Sequence, residues 1–161
     1  MPEPEIDLRS AMSLYPTGVC VVTMETGEQP AFGMTVNSFT SLSLDPPLVM
    51  WNLQKSSDNF KEWREAEGFA VNMLTTEQRA LSVRFAGKGN HELQNSELDR
   101  GVTGCPLLLN SLANLECRMH ARYEEGDHVI MIGEVVSIRT DAAATPLAFL
   151  AGRYGNVSCT D

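Results

Sequence analysis

The stretch from Gly33 to Trp51 reads GMTVNSFTSLSLDPPLVMW and sets hydroxyls and an amide at Thr35, Asn37, Ser38, Thr40, Ser41 and Ser43 among apolar residues. Such a run offers neutral donors and acceptors, beside its own backbone N–H and C=O groups, next to apolar surface. That mixture suits a flat heteroaromatic ligand, which needs an apolar slot for its body and a few placed polar groups for its edge. Farther on, Ser56 and Ser57 stand where a helix is expected to open. A helix N-terminus attracts phosphate through free N–H groups and the dipole, and simple capping accounts for the same serines. Lys55 and Arg84 can add positive charge there, whereas Asp58 in the same turn works against an anion.

The usual catalytic signatures are missing: there is no GxSxG, HExxH, Walker loop or GxGxxG after a strand. The three histidines, His91, His120 and His128, are far apart in sequence. His120 and His128 fall on opposite arms of one expected hairpin, where Glu116 could join them at a metal, but polar-face positions explain them as well, and no metal is expected. No nucleophile–base pair can be named. A catalyst without its own acid, base or nucleophile must borrow its chemistry from a cofactor, and a flavin matches the opening stretch.

The bulk properties set limits. A chain of 161 residues, 43% hydrophobic and 20% charged, is expected to form one globular domain. The net charge of −9 argues against nucleic acid and anionic membrane surfaces as partners, so a bound anion must be held by local donors. Cys20, Cys105, Cys117 and Cys159 show no metal or disulfide spacing and are expected as reduced thiols. With no signal peptide and no apolar run near the ~20 residues of a membrane span, the expected location is cytoplasmic.

The elements that must position these groups read mainly as strands. A polar tail over residues 1–8 overlaps a short helix expected over Asp7–Leu14, ended by Pro16-Thr17-Gly18. Gly18–Met24 is an apolar strand, ETGEQP its turn, and Ala31–Leu44 a second strand broken near Ser38–Ser43. After Asp45-Pro46-Pro47 come a strand at Leu48–Leu53, an N-cap cluster at Ser56-Ser57-Asp58 before a helix carrying Phe60, Trp63 and Arg64, and a strand at Phe69–Leu74. Thr75 and Gln78 form a capping box for a helix to about Ala86. Gly87–Cys105 reads as a long surface loop, plainly solvated or a docking site. From Ala113 to Tyr123 apolar and polar residues alternate strictly, predicting one core face and one polar face, with a return strand at His128–Arg139. Six or so strands in adjacent hairpins suggest a closed antiparallel barrel.

Taken together, TGVCVVTM, GMTVNSFTSLSLDPPLVMW, QKSSDNF, FAVNML, RFAG, GDHVIMIGEV and GRYGN resemble the short-chain flavin reductase family, in family order from about Arg9 to Asn156. These are reductase components of two-component flavin-dependent monooxygenases. The resemblance implies a mainly β, FMN-binding split β-barrel, antiparallel and Greek-key-like, with a few short flanking helices, over residues 9–157 and followed by a tail at 158–161. It implies that Thr35, Val36, Asn37 and Ser38 line the isoalloxazine, Ser41 the ribityl chain, and Gln54, Lys55, Ser56 and Ser57 the phosphate. Phe60 would fix the helix presenting them, Arg84 and Phe85 would close the phosphate end, and Tyr154 would shape the dinucleotide pocket. His128 would stand over the nicotinamide.

The expected activity is hydride transfer from NADH, or NADPH, to FMN or FAD, with positioning in place of acid–base chemistry. Reduced flavin would pass to a separate monooxygenase, and the family implies a homodimer. Two other readings remain open at this point: a flavoprotein holding FMN permanently for electron transfer, and a non-enzymatic ligand-binding split-barrel module.

Overall fold

Gly126, at φ +58°, turns the chain between two strands of thirteen residues, Ala113–Glu125 and His128–Thr140, with Glu125 opposite His128. The left-handed conformation suits glycine and matches the twist of a tight hairpin. A computed structural model describes residues 6–24, 27, 30–89 and 91–160. Most of the expected turn ETGEQP and the first five residues of the tail lie outside them.

In chain order the elements are α1 (Leu8–Ser13), β1 (Thr17–Gly18), β2 (Cys20–Met24), β3 (Phe32–Val36), β4 (Thr40–Leu44), β5 (Pro47–Gln54), α2 (Phe60–Glu65), β6 (Gly68–Met73), α3 (Arg79–Ala86), β7 (Leu98–Arg100), β8 (Pro106–Leu108), β9 (Ala113–Glu125), β10 (His128–Thr140), β11 (Leu147–Leu150) and β12 (Arg153–Asn156). Seven strands form one antiparallel sheet in the order β3-β2-β6-β9-β10-β5-β4, and β1-β11-β12 and β7-β8 form smaller ones. The chain is mainly β with short helices, as expected. Closure is not: β3 and β4 end the sheet without pairing to each other. Instead residues 91–93 lie along β3, with Gly33 N donating to His91 O at 2.8 Å and Leu93 N to Ala31 O at 2.8 Å. That segment takes the hydrogen bonds a closing strand would have used.

The core gathers where β5, β6 and α2 meet. Trp51 packs edge-on against Trp63 and Phe69, with ring centroids 5.5 and 5.8 Å apart. Along β5 the odd positions Val49, Trp51 and Leu53 are buried, while the even positions face the other side. A Cβ at Gly133 would stand 2.5 Å from Phe69 Cζ and 2.8 Å from Cys117 Cβ, so only glycine lets β10 approach β6 and β9 this closely.

The alternation in β9 holds at Leu115, Cys117, Arg118, His120 and Arg122 but fails at Glu116, which is 1% exposed, and at Tyr123, expected on the core face and 56% exposed near the end of the hairpin. The segment 101–105 folds over that face, and Glu116 accepts from Val102 N at 3.2 Å, Thr103 N at 2.8 Å and the Thr103 hydroxyl at 2.7 Å. Burial pushes its carboxyl up, yet the Thr103 and Val102 donors outweigh burial and hold it below the ordinary value. Glu116 is therefore a loop anchor and not a partner for His120, which falls at the bulge opposite Ile132 and Gly133. Among the described residues no three metal-ligating side chains come together.

Three further expectations are corrected. The break in the Ala31–Leu44 strand is confined to the corner Asn37–Phe39, and Thr40–Leu44 resumes as β4. Ser56, Ser57 and Asp58 do not cap α2: Asn59, in a left-handed conformation, precedes it, and Ser57 N closes a turn onto Gln54 O at 3.0 Å. The stretch 87–105 is partly structured, containing the β3-edge segment, a short 3₁₀ turn at Asn95–Glu97 and β7, with Leu93 buried. The capping box at Thr75 and Gln78 forms as expected, opening a 3₁₀ turn that continues into α3.

Candidate functional site

A cavity of about 340 Å³ opens between β3, β5 and the end of α3. One wall is Met34, Thr35 and Val36 of β3 with Asn37 and Ser38 of the corner. The opposite wall is Asn52 and Gln54 of β5 with Ser56, Ser57 and Asp58, and His128 adjoins it. Phe85, Ala86, Gly87, Lys88 and His91 close the remaining side. The volume lies within the about 300–1,000 Å³ common for small-molecule sites.

Each wall is fixed by a local device. The Thr35 hydroxyl donates to Ser82 O of α3 at 2.7 Å, tying β3 to the helix. The Ser38 hydroxyl oxygen accepts from Asn52 N at 3.0 Å, where a side chain replaces a ladder bond and holds the corner onto β5. Gln54 and His128 pair directly across β5 and β10. His128 Nδ1 lies 2.7 Å from Asp127 Oδ1, and this contact with the imidazole holds the Asp127 carboxyl below the usual range. The carboxylate accepts, so Nδ1 carries a proton, and in the neutral ring Nε2 is left as an acceptor.

Asp58, which the sequence sets against an anion, is turned to another task. Its Oδ2 accepts from Gly89 N at 2.8 Å and lies 3.3 Å from His91 Nε2. The Gly89 N–H and then His91 lower its carboxyl from the ordinary value. The carboxylate braces the turn before α2 against the segment after α3.

Of the residues anticipated for the site, the structure brings Thr35, Val36, Asn37, Ser38, Gln54, Ser56, Ser57, Phe85 and His128 to one cavity. It places five elsewhere. Ser41 pairs with Val49 on the exposed edge strand β4. Lys55 Nζ points to Glu124 Oε2 at 3.5 Å. Phe60 opens α2 and packs on the core. Arg84 NH1 pairs with Glu97 Oε1 and NH2 donates to Glu92 O, both at 2.5 Å, and its guanidinium lies 4.6 Å from the centroid of the Phe85 ring. Tyr154 stands behind the wall, its hydroxyl 2.7 Å from Ser82 Oγ and its ring against Phe149.

Lys88 supplies the cavity's positive charge in place of Arg84 and Lys55. Gly87 ends α3 in extended backbone, φ −75° and ψ 177°, which swings Lys88 off the helix face that carries Arg84. Asn52, Lys88 and His91 are the polar wall residues not anticipated. Only Asn52 left a readable signal, as an amide two residues before Gln54 on the non-core face of a strand.

The cavity sets neutral amides and hydroxyls beside a lysine, the Asp58 carboxylate and two histidines, groups that a flat, phosphorylated heterocycle would use. The model of the flavin reductase like domain matches residues 12–158, and the chain belongs to that family. The FMN reductase (NADH) SmoA of Agrobacterium fabrum is 41% identical over 93% of this chain and 84% of its own. The solved NADH:FAD oxidoreductase SgcE6 of Streptomyces globisporus C-1027, in complex with NAD and FAD fragments, superposes with a TM-score of 0.86 at 36% identity, over 94% of this chain and 91% of that one. The styrene monooxygenase flavin reductase SMOB of Pseudomonas putida S12 gives 0.83 at 32% identity, over 96% and 99%.

Proposed function

We propose that this chain is an NAD(P)H:flavin oxidoreductase that passes a hydride from NADH, or NADPH, to FMN or FAD and releases the reduced flavin to a separate monooxygenase. One observation carries the reading: the cavity gathers placed neutral hydrogen-bonding groups from β3, the corner after it, β5 and the turn before α2, with His128 beside them. The relatives named as NADH-dependent flavin reductases, and one that serves a styrene monooxygenase, support the same assignment.

The flavin supplies the hydride acceptor when bound. The chain's residues hold and orient. Thr35, Val36, Asn37 and Ser38 line the ring, with the hydroxyls of Thr35 and Ser38 already committed to Ser82 and Asn52, so the wall is stiff before ligand arrives. Ser56, Ser57 and Lys88 receive the phosphate end, where the Asp58 carboxylate, held by Gly89 N and beside His91 Nε2, is the negative charge that Lys88 offsets. His128, fixed by Asp127, orients the nicotinamide. The domain runs over residues 9–157. The exposed Leu8, Met12, Leu14 and Tyr15 of the α1 region favour a homodimer. No helix among the described residues is long and apolar enough to cross a membrane, and a cytoplasmic location suits this activity.

The test is NADH oxidation by catalytic protein with excess FMN, with FAD, and with neither. Many turnovers only with added flavin are expected. No turnover with either flavin would overturn the assignment.

A further inference from the structure

We propose that the side-chain amide of Asn52 is a recognition group of this cavity and pairs with an amide edge, an N–H beside a C=O, on the bound nucleotide. Four buried side-chain atoms among the described residues lack a hydrogen-bond partner: Thr17 Oγ1, Trp51 Nε1, Asn52 Oδ1 and Arg84 Nε. Of these residues, only Asn52 belongs to the cavity wall. An amide oxygen shielded from water and left unpaired is unfavourable, so its presence on a binding surface points to a donor arriving with the ligand.

The fold supplies no other reason for an amide here. The core face of β5 is Val49, Trp51 and Leu53, and Asn52 lies on the opposite face with Gln54. The bond that anchors this position to the corner runs from the Asn52 backbone N–H to Ser38 Oγ, so it makes no use of the side chain. A carboxamide presents one donor and one acceptor edge whichever way it turns, and pairs reciprocally with any group carrying the same two. Asn52 is opposite Ile130, as Gln54 is opposite His128, so it sits one side-chain step along the sheet from the histidine.

The inference rests on the flavin reductase reading, under which two ligands carry such an edge: the imide of the flavin and the carboxamide of the nicotinamide. Two analogues separate them. In 3-methyl-FMN the imide N–H is replaced, and in 3-acetylpyridine adenine dinucleotide the carboxamide becomes a ketone. Dissociation constants are measured for wild type and Asn52→Ala, by flavin fluorescence for the first pair of ligands. For NAD and its analogue they are measured by calorimetry on flavin-loaded protein. In wild type one analogue should bind about tenfold more weakly than its parent. Asn52→Ala should bind that analogue and its parent alike, because the group that told them apart is gone. Loss of discrimination for 3-methyl-FMN assigns Asn52 to the flavin, and loss for the acetylpyridine analogue assigns it to the nicotinamide. Equal discrimination by both proteins with both ligand pairs would overturn the proposal. Wild-type protein that binds flavin and oxidises NADH while showing that result leaves the reductase reading standing. Wild type that does neither removes both.

Discussion

The Asp58 carboxylate lies 3.3 Å from His91 Nε2, while the other ring nitrogen of His91 lies 3.2 Å from Gly33 O. Asp58, Gly89 and His91 thus join three pieces of chain around one cavity: the turn before α2, the segment after α3, and the edge of β3. Both ring nitrogens face acceptors, and a neutral imidazole can donate to only one of them.

Asp58→Ala should release the segment carrying Lys88. The expected result is faster hydrogen exchange at the Gly89 amide and several-fold weaker FMN binding. Because the Asp58 carboxyl sits below its ordinary value of 3.8 in the folded protein, its stabilisation is present above the ordinary carboxylate range and is lost as pH falls through the lowered value. Wild type and Asp58→Ala should therefore differ most in stability above the ordinary carboxylate range and converge only in stronger acid, once the pH has fallen through the lowered value. Equal exchange at Gly89 in both proteins would remove the brace.

Lys88 and Arg84 make opposite predictions. Lys88→Ala should weaken FMN binding by about tenfold while leaving riboflavin, which has no phosphate, nearly unchanged. Arg84→Ala should leave the preference for FMN over riboflavin close to wild type and lower stability instead, since it breaks contacts to Glu97 and Glu92 O. Fluorescence titrations with the two flavins decide the matter.

His128→Ala should slow NADH-dependent flavin reduction and leave the flavin dissociation constant within about twofold, because the imidazole faces the cavity beside β5 while the flavin walls are set elsewhere. Asn37→Leu should do the reverse and weaken flavin binding first. Unchanged turnover in His128→Ala would remove that residue from the nicotinamide site.

Gly133→Ala should destabilise the fold by about 1–3 kcal/mol, as overpacking does, because the new methyl meets Phe69 and Cys117 at under 3 Å. Urea unfolding gives the value. A stability equal to wild type would mean that β10 can shift away from β6 at little cost.

What the sequence makes legible follows from how each feature is encoded. The β9–β10 hairpin is visible because its alternation is long and local, and the capping box because Thr75 and Gln78 are three residues apart. The course of residues 87–105 is hidden: Leu93 and Leu98 are single apolar residues in a polar stretch, and Leu93 finds its place only by pairing with the distant Ala31, Leu98 by pairing with Leu108 beyond the stretch. The choice between Arg84 and Lys88 is hidden for another reason. Both are cations beside the same helix end; Gly87 marks where the helix stops, but its extended backbone, which decides where Lys88 goes, is a conformation any residue adopts. Asp58 shows the same limit, because its charge can be read but not the direction in which it is spent.

The segment at 91–93 has a role beyond the cavity. By occupying the outer hydrogen bonds of β3 it removes a row of free N–H and C=O groups that could template a strand from another molecule. The chain that walls the ligand also shields the sheet against self-assembly. Damage to this short stretch would therefore appear as two unrelated defects, lost flavin affinity and precipitation on concentration, with one structural origin.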